Sequence, residues 1–572
     1  MRRFMRTQDT GFTVRHARTL GGRAALFAAA LLGLGFASLA SGDDQFAGRQ
    51  CDWTQWARSS AHDSLSCAKG QRAEKILAEK VLDPFIDNDT EYGSLDHLQV
   101  PLLDREGGVF IVQKSGIADQ PATHVWSEKA YRWQHDRLVE RWSYASDWKP
   151  APLTAFTHAL WHPVMSGHFL YLPGAGGTLL KVDKQQGRLV RRIDPFGGGI
   201  NPQRYVVGGV AADENGNIVY NVLRLDATAP LAQDVSEAWL VHVDRHDRIR
   251  KVDYKSLIPN APSASSLCYL TFSQMSPRPP RPWPPAPQPD GSPTLPPQAP
   301  CLSQRPPRDM TPAIAPDGTI YTVSRAHGAE HYSYLIALTP DLGLKWASSL
   351  RGHLNDGCGV LANTCRPGST HGVDTLTNLP PAGVANDGSS SSPVPLPDGV
   401  VFGAYTAYNS GRGHLMKFDR QGQFQTTYDF GWDITPGVWR HGRGYSLVLK
   451  DQYYNDDEYA ITQLGPSLQK EWQYMASNTQ QCERRPDGTL DCADIGFHFE
   501  WCVATPGIDR DGNVYVVSAD GNLYVIGQGG AEKQRFFLER TAYAAYTPTA
   551  LDHRGRVYAM NNGKLFIVGR DQ

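Results

Sequence analysis

The residues of this chain best suited to chemistry are a histidine, a carboxylate and a tryptophan close together in sequence, His498, Glu500 and Trp501. An imidazole and a carboxylate can contact a metal ion, and an indole offers a flat apolar surface to a sugar ring. The alternative interpretation is a surface loop that is held in place by its neighbours Cys492 and Cys502. No set of metal ligands is assigned.

Four further residues are candidate contacts for the same ligand, because each lies just before a predicted innermost strand of a repeated unit: Trp161, His162, Asp309 and Asp433. The same placement is shared by Arg308, Ser391, Ser392, Thr435 and Tyr546. Glu500 and Asp433 could also act as acid and base on a glycosidic bond, which requires carboxyl groups about 5 to 9 Å apart. The sequence alone does not give that distance.

Several common catalytic patterns are absent from the sequence. It contains no Cys-x-x-Cys-His, His-Glu-x-x-His, Gly-x-Ser-x-Gly or Gly-x-x-x-x-Gly-Lys, the usual signatures of covalent haem, metalloproteases, serine hydrolases and nucleotide binding. The 56 Lys and Arg residues nearly balance the 58 Asp and Glu residues, so nothing favours a nucleic acid or an anionic membrane as partner. Asp509–Asn513 resembles the start of a calcium loop, but Val514 stands where that loop needs glycine, so we predict a hairpin turn.

The candidate residues are positioned by a repeated unit. Its clearest copy contains two hairpins, Pro312–Ser324 with an Asp-Gly turn and Tyr334–Trp346 with a Pro-Asp-Leu-Gly turn. Glycine adopts positive φ readily and proline fixes the first corner of a turn, so both segments are expected to fold back on themselves. Two successive hairpins predict four antiparallel strands, which is one blade of a β-propeller.

The unit occurs eight times in all, which predicts an all-β fold, an eight-bladed propeller of four-stranded antiparallel blades over residues 99–572. The eighth unit has only three strands of its own, and an open sheet edge would remain. Residues 74–85, within an N-terminal lead-in of residues 43–98, are predicted to supply the missing strand and close the ring. The predicted starts are Val100, Pro163, Val210, Pro312, Pro393, Pro436, Pro506 and Pro548.

The strings Pro-Ala-Ile-Ala-Pro-Asp-Gly-Thr-Ile-Tyr at Pro312 and Ala-Leu-Thr-Pro-Asp-Leu-Gly at Ala337 resemble the repeats of quinoprotein-like β-propellers. The opening Asp52–His62, with Trp53 and Trp56, is similar to the start of many exported bacterial proteins of this family. The resemblance covers roughly residues 51–572. It implies the fold and not one activity, because the family contains both quinone-dependent alcohol dehydrogenases and cofactor-free scaffold proteins of outer-membrane assembly.

A dehydrogenase of this family would hold pyrroloquinoline quinone and calcium at the mouth of the central channel, with a carboxylate acting as base. Such enzymes usually carry two adjacent cysteines and docking tryptophans in most blades. This chain has no Cys-Cys pair, and only Trp346, with Trp472 and Trp142 as weaker matches, fills the docking position. No cofactor is therefore expected, and the quinone with calcium is the alternative.

The ends of the sequence and its cysteines predict the compartment. Residues 1–42 have a basic head, an apolar run from Ala24 to Ala40 and small residues after it, as in a signal peptide; an uncleaved anchor is the alternative. We expect a periplasmic or extracellular protein with no membrane span after cleavage. Local spacing favours four disulfides, with Cys502 left over or paired with Cys482 or Cys492: Cys51 with Cys67, Cys268 with Cys301, Cys358 with Cys365, and Cys482 with Cys492.

The order of the turns predicts which face of the ring binds a partner. The tight turns join the first strand to the second and the third to the fourth, so they share one rim. The other rim, here called the long-loop face, carries the long connections Ser256–Asp309, Arg351–Ser392 and Ala476–Thr505. Insertions gathered on one face usually mark a binding face. On this face the proline-rich insertion 276–307 could present Trp283 to a partner or be a solvated tether.

We therefore expect an exported monomeric binding or scaffold protein, not an enzyme, that holds a protein or a glycan on its long-loop face. A pyrroloquinoline-quinone-dependent dehydrogenase is the first alternative. A carbohydrate-active enzyme that uses carboxylates on the same face is the second.

Overall fold

The computed structural model describes residues 51–85, 95–96, 99–152, 157–158, 160–360, 364–405, 413–431, 434–453, 457–501, 503–541 and 547–570. The predicted signal peptide, Asp433, Cys502 and Tyr546 lie outside the described residues.

The strands form eight antiparallel blades, and in blades 1 to 7 they follow chain order outward from the channel, which confirms the predicted eight-bladed all-β propeller. The innermost strand of blade 4 is in two pieces that both pair with Ile320–Ala326. Blades 1 to 4 contain Leu102–Leu103, Gly108–Ile117, Gln120–Gln134 and Arg137–Ala145; Val164–Ser166, Phe169–Pro173, Leu179–Asp183 and Leu189–Ile193; Arg204–Ala212, Ile218–Arg224, Glu237–Val243 and Ile249–Asp253; and Gln304–Arg305 with Ala313–Ile314, Ile320–Ala326, Ser333–Leu338 and Leu344–Ser349. Blades 5 to 8 contain Val394–Leu396, Gly399–Tyr405, Gly413–Asp419 and Phe424–Phe430; Gly437–His441, Gly444–Tyr453, Glu458–Leu464 and Lys470–Met475; Gly507–Ile508, Val514–Val517, Asn522–Gly527 and Ala531–Phe537; and Ala550–Leu551, Val557–Asn561, Lys564–Gly569 and Lys75–Val81.

The remaining elements are short and lie in the connections. Two antiparallel hairpins are formed by Leu267–Tyr269 with Gln298–Pro300 and by Gln480–Arg484 with Leu490–Asp494, and two parallel pairs by Leu95–Asp96 with Thr157–His158 and Val503–Thr505 with Thr547–Pro548. The helical elements within the described residues are the α-helix Tyr254–Leu257 and the 3-10 turns Ala175–Gly177 and Phe272–Gln274. Within the described ranges, no helix is long and apolar enough to cross a membrane.

Ring closure follows the predicted route. Lys75–Val81, inside the predicted segment 74–85, pairs antiparallel with Lys564–Gly569 and becomes the outermost strand of blade 8. The eighth blade therefore reaches four strands by using a segment from the other end of the described chain, and its third strand has no open edge.

The core lies between neighbouring blades. In blade 4 every residue of Ile320–Ala326 and Ser333–Leu338 is buried, whereas the outer strand Leu344–Ser349 is partly or fully exposed. The two middle strands are covered on both faces by adjacent blades, so their residues do not alternate between buried and exposed. The outer strands carry the polar surface of the ring.

The third blade starts earlier than its sequence pattern indicated. Its first strand is Arg204–Ala212, not a strand from Val210, and its pairing shifts between Val207 and Ala211. Gly208 has φ +69, and a Cβ there would lie 1.9 Å from the carbonyl oxygen of Met310. A glycine bulge at the closest approach of two blades therefore hid the strand's true start.

Three tryptophans on outer strands dock onto the third-to-fourth-strand region of the next blade. Their indole Nε1 groups donate to Lys184 O from Trp142 at 3.0 Å, to Arg420 O from Trp346 at 2.9 Å, and to Gln528 Oε1 from Trp472 at 3.4 Å. These are the three tryptophans that the repeat pattern assigned to docking. In two of the contacts, a Cβ added to the facing glycine, Gly187 or Gly422, would fall within 2.6 Å of the indole.

We expect Gly422→Ala to destabilise the protein more than the same substitution does at another glycine with positive φ. Gly422 has φ +80, and its added Cβ would lie 2.5 Å from Cδ2 of Trp346. Gly197, with φ +65 and no atom within 4 Å of an added Cβ, is the matched control. Gly197→Ala should cost about 1–2 kcal/mol of backbone strain, and Gly422→Ala roughly 1–3 kcal/mol more from overpacking. Denaturation midpoints would show this, and equal losses would contradict the docking role.

Candidate functional site

The N-terminal segment 51–71 winds around the central channel and bonds to the blades in turn. The disulfide Cys51–Cys67 joins its two ends, and we call the segment the plug. From blade 1 to blade 8 its contacts are Trp53 N to Leu103 O at 2.8 Å, Met165 N to Thr54 O at 2.8 Å, Ala212 N to Gln55 Oε1 at 2.9 Å, Ile314 N to Ser60 O at 2.7 Å, His62 Nδ1 with Pro393 O at 2.8 Å, Val438 N to Asp63 O at 2.8 Å, Ser66 N to Ile508 O at 2.8 Å, and Gln71 N to Gly555 O at 2.7 Å. Most of these contacts lie near the first-to-second-strand turns, so the plug closes the tight-turn end of the channel.

The plug is tightly coiled. Four non-glycine residues have positive φ, namely Ala57, Arg58, His62 and Ser64 at +48°, +76°, +55° and +53°. Residues other than glycine rarely adopt a positive φ. Each one costs about 1–3 kcal/mol of backbone strain and persists only where the surrounding structure holds it in place. Arg58 Nη1 donates to Asp63 Oδ1 at 3.1 Å across the coil. The similarity of Asp52–His62 to family members indicated a shared lead-in, but not its place in the channel.

Trp56 fills the axis of the channel. It is fully buried and clusters with Ala57, Leu160 and Ala504. Its Nε1 donates to Thr435 Oγ1 at 3.2 Å, and its ring meets the His162 ring edge-on at 5.6 Å. The plug therefore packs directly against the residues that precede the innermost strands.

The predicted mouth residues Trp161, His162 and Asp309 are buried. Trp161 donates from Nε1 to Pro173 O at 3.3 Å, and Asp309 Oδ1 accepts from Leu160 N at 2.9 Å. His162 is fully buried, which lowers its pKa to about 3 and leaves a neutral imidazole. Trp161, His162 and Asp309 are at most 2% exposed, so each contributes to packing inside the ring.

The cluster around residue 500 is divided by burial. Trp501 is 1% exposed and meets the Tyr524 ring edge-on at 5.1 Å, so its indole is not an open surface. His498 is half-exposed, with Nδ1 3.4 Å from Asp457 Oδ2. Glu500 is half-buried, and its backbone oxygen accepts from Ala519 N at 2.9 Å. A ligand role for His498 and Glu500 stays a prediction.

Three disulfides brace the long-loop face: Cys268–Cys301, Cys358–Cys365 and Cys482–Cys492. With Cys51–Cys67 they are the four pairs that local spacing favoured. The proline-rich insertion is not a solvated tether, and it does not present Trp283 to a partner. The Trp283 side chain is 4% exposed and packs with Phe272 and Leu376. The insertion is thereby docked onto the connection between blades 4 and 5.

A cavity of about 450 Å³ opens on the long-loop face where three separate segments meet. Its volume is in the roughly 300–1,000 Å³ range of small-ligand sites. Tyr269 comes from the connection between blades 3 and 4, and His331 and Tyr332 from the second-to-third-strand loop of blade 4. The remaining lining residues come from the end of blade 4 and the connection that follows: Ser349, Arg351, Gly352, Thr377, Leu379, Pro380 and Ala382.

The cavity combines a cation, hydroxyl groups and an apolar wall. The Arg351 guanidinium lies 4.0 Å from the centre of the Tyr332 ring, a cation–π contact. His331 Nε2 is 3.9 Å from Asp374 Oδ2, and burial raises the pKa of Asp374. Leu379, Pro380 and Ala382 supply apolar surface. None of these residues was a sequence candidate, because their connections carry no repeated pattern.

No model of a protein family matches the sequence, and no curated protein matches it. Among solved structures, the chain is similar to a europium-containing methanol dehydrogenase, with TM-score 0.50 and 9% identity over 90% of each chain. It is also similar to quinohemoprotein alcohol dehydrogenase from Comamonas testosteroni, with TM-score 0.47 and 10% identity over 93% of this chain and 83% of that one. For BamB from Moraxella catarrhalis the TM-score is 0.42 and the identity 9%, over 87% of this chain and 99% of that chain. At such low identity the likeness to the methanol dehydrogenase supports the fold alone, an eight-bladed β-propeller.

The described residues at the channel mouth are packed by the chain itself. The Trp56 indole occupies the axis, and Asp309 is fully buried and bonded to Leu160 N. Across the described ranges, no group of three or more His, Cys, Asp and Glu residues is arranged to hold a metal ion. We therefore place the candidate site at the cavity.

A buried histidine anchors one wall of the cavity to blade 5. His414 Nε2 lies 2.6 Å from Asp356 Oδ2, in the connection that supplies Thr377 and Leu379, and His414 Nδ1 lies 2.6 Å from Asp429 Oδ1. Burial by itself lowers the pKa of His414, but the two carboxylates outweigh it and raise the pKa to about 9.

We expect stability to fall as the pH rises from 6.5 to 9. A histidine titrates near 6.5 in the unfolded chain, so the gain from charged His414 is fully present below that pH and is lost as pH passes the folded pKa of about 9. The shift corresponds to roughly 3 kcal/mol. Denaturation midpoints of His414→Gln should lie well below the parent at pH 6 and approach it at pH 9.5.

The matched control is His441→Gln, because His441 Nε2 bonds to Ser446 Oγ, a hydroxyl oxygen, at 2.9 Å. A constant difference between His414→Gln and the parent at every pH would exclude the ion-pair explanation.

Proposed function

We propose that this protein is an exported binding propeller that holds a partner on its long-loop face, at the cavity beside Arg351. The observation that supports this most directly is the division of the ring. The axis is filled by the chain's own Trp56, whereas the cavity of about 450 Å³ opens between long connections. Rigid scaffolds commonly carry their binding residues on such loops.

The disulfides support the proposed compartment. Four bridges in one chain are typical of an oxidising environment, such as the periplasm or the extracellular space. Two of them, Cys268–Cys301 and Cys358–Cys365, lie in the connections that line the cavity, where they limit the movement of its walls. A preformed site loses less conformational entropy when a ligand binds.

The partner is proposed to be a protein or a glycan bound by a monomer. The quinone-dependent dehydrogenase is the alternative that the fold leaves to be tested. After addition of pyrroloquinoline quinone and calcium, we expect no quinone absorbance to copurify and no dye-linked oxidation of alcohols. A bound chromophore with turnover would replace the binding proposal with the dehydrogenase.

The cavity itself is tested by filling it. Leu379→Trp adds bulk to a half-buried lining residue, and Leu189→Trp makes the same change on the exposed outer strand of blade 2. Binding would be measured on a glycan array and against envelope and secreted protein fractions. We expect a partner whose binding falls at least about tenfold in Leu379→Trp, or roughly 1.4 kcal/mol, and is retained in Leu189→Trp.

Equal binding by both variants to every captured partner would place the site elsewhere on the ring. Thermal unfolding of each variant accompanies the assay, so that loss of fold is separated from loss of binding.

A further inference from the structure

We propose that the cavity on the long-loop face binds an acidic sugar, with Arg351 contacting its carboxylate. The inference rests on the proposed function and names its ligand class. The observations that support it are one charged side chain, Arg351, and the hydroxyl groups around it.

Arg351 supplies a positive charge to the lining of the cavity. Its side chain is exposed in the cavity and stacks on Tyr332, and no acidic group among the described residues lies within ion-pair distance of it. Its backbone N donates to Ser349 Oγ at 3.2 Å, which fixes the start of the side chain. A planar guanidinium held against a ring is well suited to pair with a carboxylate through two parallel hydrogen bonds.

The groups beside Arg351 suit a ligand with several hydroxyls. The Tyr332 hydroxyl oxygen accepts from Tyr269 N at 3.3 Å, and its hydrogen has no acceptor in the described part of the chain. The Tyr269 hydroxyl makes no hydrogen bond to any described residue. Thr377 Oγ1 accepts from Leu379 N at 3.3 Å, and its hydroxyl also donates to the Asp374 carboxylate, so the hydroxyls left for a ligand are those of Tyr269 and Tyr332. Leu379 and Pro380 provide the apolar surface that the face of a sugar ring would cover.

A peptide fits this cavity less well. Extended peptides bind mainly through backbone hydrogen bonds, but backbone groups of Arg351, Leu379 and Ala382 in the cavity wall are already paired. Arg351 forms a β-bridge with Ala382, and Leu379 O accepts from Asp374 N at 2.8 Å. The groups left for a ligand are side-chain hydroxyls, an imidazole and a guanidinium, which favours a sugar acid over a peptide.

Gly352 allows the charge to be tested without a change of shape. It lines the cavity, has φ +77, and a Cβ there would meet no atom within 4 Å. Aspartate and asparagine tolerate this backbone region better than other side chains. Gly352→Asp places a carboxylate next to Arg351, and Gly352→Asn is its uncharged match.

The experiment measures binding of trigalacturonate, its methyl ester and the neutral galactose trimer by calorimetry. We expect the acid to bind at least about tenfold more tightly than the ester or the neutral trimer. Gly352→Asp and Arg351→Gln should each weaken binding of the acid by about tenfold or more, while Gly352→Asn retains it. Arg281→Gln is the control for general surface charge, because Arg281 is exposed on the same face and stacks on Trp283 at 5.1 Å without lining the cavity.

Equal affinity for acid and ester, or equal loss in Gly352→Asn and Gly352→Asp, would overturn the acidic-sugar assignment. A partner that is lost in Leu379→Trp but unaffected by Arg351→Gln would also overturn it, while supporting the proposed function. If no partner responds to Leu379→Trp, the cavity itself is not the site and both proposals fail.

Discussion

The ring depends on one long-range ladder, in which Lys75–Val81 pairs with Lys564–Gly569. Without it, blade 8 would have three strands and an unpaired edge, which is a template for association with another chain. The plug directly precedes this strand along the chain. The same stretch of about 30 residues therefore bonds to every blade at the channel and then completes the last blade from outside. Closure of the ring and closure of the channel are coupled through one covalent segment.

This coupling has a cost that the rest of the structure offsets. Trp56 and Thr435, which share a hydrogen bond, are 379 positions apart in sequence. Ordering such distant residues costs chain entropy before the contact contributes anything. Four left-handed residues add local strain. Hydrogen bonds to all eight blades, burial of the Trp53 and Trp56 indoles and the disulfide Cys51–Cys67 stabilise the coil.

The parts of the fold that local chemistry determines could be predicted from the sequence. Asp-Gly turns recur because glycine takes positive φ, as Gly318 does at +81°, so strand order, blade number and the closing strand were predictable. The start of blade 3 was not predictable, because the bulge at Gly208 depends on the close approach of Met310 from another blade. The place of the plug was hidden for the same reason, since it is set by contacts that no short stretch of sequence encodes.

The candidate site also has a part that the sequence could predict and a part that depends on long-range contacts. Trp161, His162 and Asp309 were assigned to the channel mouth by their place before innermost strands, but their exposure depends on where the Trp56 indole lies. The topology still indicated the correct kind of surface, because tight turns alternate with long connections in every antiparallel blade. The sequence pattern did not indicate Tyr269, His331 or Arg351, because they come from three connections of unrelated sequence that meet only in the folded ring.

The arginines of the long-loop face differ in their surroundings, and the difference separates those that hold the structure together from the one at the cavity. Nearby, Arg305 and Arg325 are nearly buried and share Asp387, whose carboxylate lies 2.6 Å from Arg305 and 3.4 Å from Arg325. Burial raises the pKa of Asp387, but the two guanidiniums outweigh this and hold the pKa well below its usual range. A buried cation needs such a partner, because an unpaired charge in the interior is costly. Arg351 lies outside that network, stacked on Tyr332 beside hydroxyls with hydrogen-bonding capacity left over. Among the described residues, Asp387 thus neutralises Arg305 and Arg325, whereas Arg351 faces an open cavity, where the proposed acidic ligand would supply the carboxylate.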